Sequence, residues 1–188
     1  MRQELLTTLD SYNKSALEYE ASIAQLTNYD TTYEYFTSIL NPGDRVIDLG
    51  CGPANIALKL KTKLPKLKIT GVDLSNTMIE ISKRKMPDDL FFVDDAVSFR
   101  PEEFQNGAVI GFLLPYLNLL EIEALIKNTN EFLVRNGKLY LSFMAGNSHG
   151  YESPSFNQKV QLYIFYHEKK AILNLLHRTF RGLVIQFS

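Results

Sequence analysis

The sequence has 188 residues, 45% of them hydrophobic and 22% charged, which excludes a disordered or fibrous chain and leaves room for one ordinary domain with a small appendage. Twenty Lys and Arg nearly balance 21 Asp and Glu, so the chain is not a nucleic-acid polycation and no nucleic-acid partner is expected. No run approaches the roughly 18 to 20 apolar residues a bilayer demands, Met1 to Asp10 lacks a secretion signal, and the single cysteine, Cys51, permits neither an intrachain disulfide nor a multi-cysteine metal site. These features predict a cytoplasmic protein with no membrane partner and no metal.

Met1 to Leu40 is tyrosine-rich and helical in pattern, with Ala16, Tyr19, Ile23 and Leu26 on one side of one segment and Tyr33, Phe36 and Leu40 on another. Lacking a strand of its own, it reads as a lid over the remainder of the chain and not as an independent domain. From Arg45 onward, short β-branched or aromatic runs alternate with helical-period segments, the signal for β-α units around a mostly parallel sheet. Val46 to Leu49 is the first strand. A helix starts near Ala54, carries Ile56, Leu60 and Leu64 on one face, and is stopped by Pro65. Leu67 to Val72 is the second strand, after which Ser75 caps a helix bearing Met78, Ile79, Ser82 and Met86. Leu90 to Val93 and Ala108 to Leu113 are the third and fourth strands. Ile122 to Leu133 traces a helical stripe ending at Asn136-Gly137, and Lys138 to Met144 is a fifth strand. Then come a polar loop from Gly146 to Gln158, an extended run from Val160 to Tyr166, a helix from Glu168 to Phe180 and a last strand from Leu183 to Phe187. The expected architecture is an α/β, doubly wound, Rossmann-like and mostly parallel sheet of six or seven strands, with helices on both faces and an amino-terminal helical lid. Residues 1–188 would form a single domain, 1–40 being the lid and 41–188 the core.

The strongest local signal is Asp48-Leu49-Gly50-Cys51-Gly52-Pro53-Ala54-Asn55, where a strand ends and a helix begins. Glycines here remove side chains that would hold a cofactor off the backbone, and the helix start offers unpaired amide hydrogens. Asp73 ends the next strand about 20 residues beyond Gly52, a separation that suits a carboxylate accepting both hydroxyls of an adenosine ribose. A dinucleotide fingerprint would want a third glycine where Asn55 stands, which weakens a nicotinamide oxidoreductase. Asp48 points a negative charge toward the ligand, awkward for pyrophosphate and favourable for an ammonium or sulfonium.

On these residues the sequence resembles the class I S-adenosylmethionine-dependent methyltransferases. The likeness is carried by Val46-Ile47-Asp48-Leu49-Gly50-Cys51-Gly52-Pro53, Gly71-Val72-Asp73-Leu74-Ser75 and Val93-Asp94-Asp95-Ala96. It runs from about Tyr12 to Phe187 and is of the small-molecule type. The resemblance implies S-adenosyl-L-methionine as cofactor. Asp48, Gly50 and Gly52, with Cys51 between them, would lie at its methionine end, Asp73 would hold the ribose, and Leu74 and Met78 would pack on adenine. Asp95 and Ala96 would face the adenine edge, Gly111 and Phe112 would close the methionine side, and Tyr19 would cover the cofactor. The family's third loop glycine is Ala54 here, and its closing antiparallel hairpin has no counterpart before Ser188.

The reaction so implied is methyl transfer by in-line displacement to a small-molecule acceptor, with positioning as the main task and no catalytic residue assigned. Should the acceptor need to lose a proton, His149, His167 and Tyr116 are the candidates. The alternative is a protein that binds the cofactor without turnover, as a sensor or partner subunit. Pro115-Tyr116 resembles the Pro-Pro-Tyr motif of base-amine methylases, but Leu113 and Leu114 lack the amide or carboxylate that would hold an amine. The lysine-rich stretch Lys59 to Lys68 and the cluster Lys83-Arg84-Lys85 read as solvated helix ends.

Overall fold

The computed structural model describes residues 1–180. Three helices, α1 (Gln3–Lys14), α2 (Ala16–Ala24) and α3 (Asp30–Ser38), precede β1 (Arg45–Leu49). The chain continues through α4 (Asn55–Lys63), β2 (Lys68–Asp73), α5 (Asn76–Lys85), β3 (Leu90–Val93), β4 (Gln105–Ile110), α6 (Leu119–Phe132) and β5 (Leu133–Leu141). It closes with β6 (His149–Glu152), β7 (Leu162–Phe165) and α7 (Lys169–Thr179). The main sheet is parallel throughout in the order β3-β2-β1-β4-β5. Because β1 pairs with β2 on one side and β4 on the other, the crossovers reverse direction there, and a crevice opens at the carboxyl ends of these strands.

Alternation along the buried strands decides the two faces. Val46, Ile69 and Val109 pack with α3, α4 and α5 through Phe36, Ile56, Leu60 and Ile79. Ile47, Leu49, Ala108 and Ile110 point the other way, onto Ile122, Leu125 and Ile126 of α6 and Ile172 and Leu176 of α7. The helices therefore lie on both faces, as the sequence pattern predicts. Their starts are chemically defined: Ser75 Oγ accepts from the Met78 amide at 3.1 Å, and Asn118 and Glu121 form a reciprocal capping box on α6. No helix among the described residues is long and apolar enough to cross a membrane.

Gly71 pairs with Phe91 across β2 and β3, and a β-carbon placed there would sit 2.4 Å from the Phe91 ring. The ring lies where a side chain would, so Gly71→Ala is expected to cost about 1–3 kcal/mol in chemical denaturation, whereas a cost near zero would mean that Phe91 has room to move.

Several boundaries differ from expectation for identifiable reasons. The main sheet has five described strands, not six or seven, because β6 and β7 pair with each other in antiparallel fashion. The segment expected as a polar loop thus contains β6, held by cross-strand rings: Tyr151 on Tyr163 at 4.9 Å and His149 on Phe165 at 5.6 Å. β4 spans Gln105–Ile110 and not Ala108 to Leu113, because Phe112 adopts φ +59° and the chain then turns through a short 3₁₀ segment, Leu114–Tyr116. α6 stops at Phe132, short of Asn136-Gly137. Those two residues lie within β5, where Asn136 takes φ +63° and the register against β4 shifts between Gln105 and Gly107. The Asn-Gly pair makes an irregularity in the outermost strand among the described residues instead of ending a helix. The strand expected at Leu183 to Phe187 lies outside the described residues.

Candidate functional site

The loops after β1, β2, β3 and β4 surround a cavity of about 150 Å³. Gly50 and Gly52 line its floor, both at positive φ. A β-carbon on Gly50 would come within 2.9 Å of Leu113, so only glycine keeps this turn close to the cavity. The turn is pinned to the end of β2, since the Gly50 and Cys51 amides both donate to the Val72 carbonyl, at 2.8 and 3.0 Å. Ala54, standing where the resemblance read from the sequence expects a glycine, is held at φ +59° directly before α4, which has no side-chain cap. An alanine in that region costs roughly 1–2 kcal/mol, and the surrounding core holds it there.

Asp73 sits at the centre of the crevice. Its Oδ2 accepts from the Gly52 amide at 2.9 Å and its Oδ1 from the Ser75 amide at 2.8 Å, so one carboxylate ties the β1 turn to the start of α5. Burial raises its pKa above the ordinary carboxylate value, and the two amide hydrogen bonds work against that rise. Leu74, Met78, Asp95 and Ala96 line the cavity on the β2 and β3 side, with Asp95 Oδ1 accepting from the Val97 amide at 2.9 Å. Gly111 and Phe112 close the opposite side, where the Phe112 amide donates to Ser142 Oγ at 2.9 Å and the ring packs against Tyr29.

Of the cofactor-site residues named from the sequence, Asp48 and Cys51 are the two that do not line the cavity. Asp48 is 2% exposed and neither carboxylate oxygen has a hydrogen-bonding partner. Burial, then the neighbouring Asp73 charge, pushes its pKa up to about 7, and the Ala57 backbone works against that rise. Cys51 is buried behind the turn with its thiol directed at the Gly52 carbonyl, and burial keeps that thiol protonated by raising its pKa far above the ordinary value. A buried side chain here is filler; it leaves the cavity to its glycine neighbours.

The amino-terminal helices form the remaining wall. Tyr19 of α2 lines the cavity as the sequence suggests, but α1 contributes Leu5, Thr8, Leu9 and Tyr12, none of them anticipated. Their helical spacing was a visible signal, though nothing local said that this stripe faces a crevice. α1 is fastened by Arg2, whose guanidinium donates to both Glu121 oxygens, at 3.0 and 2.8 Å, and to the Tyr116 carbonyl at 2.8 Å. Farther along, Thr8 Oγ1 accepts from the Tyr163 amide and Ser11 Oγ donates to the Gln161 carbonyl. Arg2→Ala is expected to lower stability by roughly 1–2 kcal/mol and to speed hydrogen exchange of α1 amides selectively, and unchanged α1 exchange would reject this anchoring role.

Of the candidate bases, Tyr116 lines the cavity, whereas His149 and His167 do not. His167 is buried with Nε2 against the Leu114 carbonyl at 3.0 Å, and His149 Nδ1 meets the Tyr163 hydroxyl at 2.6 Å. The basic stretches carry ion pairs: Lys59 with Asp30, Lys61 with Asp89, Lys63 with Glu34 at 2.8 Å and Lys85 with Glu20 at 3.3 Å.

Comparison with known proteins agrees with this geometry. Residues 46–137 match the family described as a methyltransferase domain. Demethylmenaquinone methyltransferase of Thermotoga maritima is 32% identical over 102 residues, covering 54% of this chain and 44% of that protein. Trans-aconitate 2-methyltransferase of Escherichia coli is 40% identical over 58 residues, covering 31% of this chain and 23% of that one. The chain thus matches less than half the length of these curated relatives. In fold, it superposes on magnesium protoporphyrin IX methyltransferase from Synechocystis PCC 6803, solved with bound S-adenosylhomocysteine, with a TM-score of 0.71 at 16% identity over 94% of this chain and 89% of that one. The β3-β2-β1-β4-β5 order and the glycine turn after β1 are those of the class I S-adenosylmethionine-dependent methyltransferase fold, and the family match places a methyltransferase domain over residues 46–137.

Proposed function

We propose that the protein uses S-adenosyl-L-methionine to methylate a small-molecule acceptor in the cytoplasm, working as one domain in which residues 1–40 serve as the lid. The observation that carries this reading is the pairing of a glycine turn with an orphaned acid. Asp48 is a buried carboxylate with no partner, behind Gly50 and Gly52 and within the field of Asp73. Such a group is costly in a free protein and becomes favourable when a cationic ligand arrives. The names of the curated relatives, demethylmenaquinone and trans-aconitate methyltransferases, both point to small acceptors for those proteins.

The residues present fit the cofactor. Asp73, already anchored by two amides, keeps lone pairs toward the cavity for a ribose diol, and Leu74, Met78 and Ala96 offer apolar surface for adenine. Gly50 and Gly52 admit the ligand to backbone distance, Asp48 supplies negative potential behind them, and Gly111 with Phe112 bounds the methionine side. Tyr19 and Tyr12 close over the top and exclude water. When bound, the cofactor supplies an electrophilic methyl group on a positive sulfur. The protein's share is then orientation of the acceptor lone pair opposite the departing sulfur, for which effective molarities of about 10⁵–10⁸ M are attainable without a base.

Isothermal titration with S-adenosylmethionine, S-adenosylhomocysteine and reduced nicotinamide adenine dinucleotide tests the assignment. Saturable binding of the first two and none of the third is expected. Binding of the nicotinamide cofactor, with no heat from the sulfur nucleosides at millimolar concentration, would overturn it.

A further inference from the structure

The wall of the cavity contributed by α1, α2 and the 3₁₀ turn is chemically distinctive. The Tyr12 and Tyr116 hydroxyls hydrogen-bond to each other, and the Tyr12 ring meets Tyr19 edge-on at 5.0 Å and Tyr116 edge-on at 5.6 Å. Behind them Phe156 stacks on Tyr12 at 5.9 Å and meets Tyr19 at 5.2 Å, so the loop between β6 and β7 backs the same cluster. Both hydroxyls remain protonated at neutral pH, burial holding Tyr116 up at about 12 and Tyr12 well above its ordinary value. They present a neutral donor-acceptor pair on an aromatic surface.

The charges around the cavity are equally informative. Among the described residues no Lys, Arg or His side chain lines it, while Asp73, Asp95 and Glu121 do. Arg2, which reaches this wall, is already engaged with both oxygens of Glu121 and with the Tyr116 carbonyl. The cofactor's own carboxylate arrives with its ammonium group, but a carboxylate or phosphate on the acceptor would be desolvated beside these acids with no Lys, Arg or His among the described lining residues to meet it, which costs more than its hydrogen bonds return. A planar uncharged molecule meets no such penalty and gains ring contacts with the tyrosines.

We propose that the acceptor is an uncharged aromatic compound bearing a hydroxyl group, held against the wall that the Tyr12, Tyr19 and Tyr116 rings form, with its hydroxyl hydrogen-bonded to the Tyr12–Tyr116 pair. This inference rests on the methyltransferase reading and narrows it. It sets this chain apart from a relative named for trans-aconitate, a tricarboxylate, although the two share a matched stretch of sequence. Tyr12 and Tyr116 are then specificity-determining residues of the acceptor subsite.

The experiment has two separable arms. S-adenosylhomocysteine is first titrated into the full chain; if it does not bind, the methyltransferase reading itself fails and takes this inference with it. The protein saturated with that product is next titrated with 1-naphthol, 1-naphthoate and trans-aconitate, the first two sharing a ring system and differing in charge. The expected result is 1-naphthol binding at least tenfold tighter than 1-naphthoate, with no detectable trans-aconitate binding. In Tyr12→Phe and Tyr116→Phe, 1-naphthol affinity is expected to fall several-fold, while naphthalene, which has no hydroxyl, binds as it does to the parent. Naphthoate or trans-aconitate binding as tightly as 1-naphthol, or no 1-naphthol binding at millimolar concentration to the product-loaded protein, overturns the proposal. So does a pair of phenylalanine variants that leave the naphthol preference over naphthalene intact.

Discussion

Asp48→Asn is expected to stabilise the free protein while damaging cofactor binding, and the stabilisation should grow with pH. The carboxyl is 2% exposed, has no hydrogen-bonding partner, and its pKa lies near 7 in the folded chain against an ordinary value of 3.8. A folded-state pKa above the unfolded value means that the folded form holds its proton more tightly. The favourable contribution is therefore complete below 3.8 and is lost as pH rises through 7. Above that point the ionised carboxylate burdens the fold by up to about 4 kcal/mol, from the pKa difference at roughly 1.4 kcal/mol per unit. Asparagine has nearly the same shape and no charge to bury. Its melting temperature should exceed the parent's by several degrees at pH 8, with a smaller gap at pH 5. A variant less stable than the parent at pH 8, or a gap that narrows as pH rises, would mean that Asp48 is ionised in the folded chain and well stabilised there by solvent or a partner. The same ionisation makes S-adenosylmethionine affinity rise between pH 6 and pH 8 in the parent, because the cationic ligand meets a carboxylate only once the proton has left. Asp73, Cys51 and Tyr19 surround this group; Asp73 is the neighbouring charge that helps hold its proton, while burial keeps the thiol and phenol neutral.

Asp73→Ala is expected to weaken S-adenosylmethionine and S-adenosylhomocysteine alike, by at least about 100-fold, since two charge-assisted hydrogen bonds to a ribose diol are worth some 1.5–3 kcal/mol each. Equal loss for the two ligands is the diagnostic feature, because the ribose is common to both while the positive sulfur is not. Asp48→Asn should instead weaken S-adenosylmethionine more than its product. Asp73→Ala also strands the amides of Gly52 and Ser75, which lose their acceptor, so a stability cost of roughly 2–3 kcal/mol should accompany it. Asp73→Asn retains one acceptor oxygen and should recover part of that stability without recovering the affinity. Calorimetric titration of the three proteins, with denaturation curves alongside, distinguishes these cases. Affinity within fivefold of the parent for Asp73→Ala would remove Asp73 from the ribose site.

The two acids illustrate how far local reading reaches. Asp73 was visible as a strand-end carboxylate at the spacing a ribose site requires, Asp48 as a negative charge ahead of the glycine turn, and Gly50 and Gly52 between them marked a turn close to the ligand. Their different surroundings were not visible. Asp73 is held by two amides and lines the cavity, whereas Asp48 lies behind the turn with no partner, a difference that depends on how β2 and α5 close around β1. Cys51, placed between two lining glycines in sequence, turns its thiol into the core because alternate positions of a tight turn face opposite ways.

The β-α periodicity, the Ser75 cap and the glycine turn are local features of the chain, each settled by backbone sterics and hydrogen bonding within a few residues. They alone specified the doubly wound sheet and the residues after β1, β2 and β3 that surround the cavity. Long-range packing decided the rest. Asn136-Gly137 reads as a helix stop locally, yet pairing of the flanking Leu133 and Lys138 with β4 draws it into β5. β6 looks like a polar loop until Tyr163 and Phe165 give it partners. The Tyr12–Tyr116 pair joins residues on α1 and the 3₁₀ turn after β4, and only the anchoring of α1 by Arg2 and Glu121 brings them together. Contacts between distant segments have no periodicity to betray them, because their geometry is set by the area that the assembled elements bury against one another.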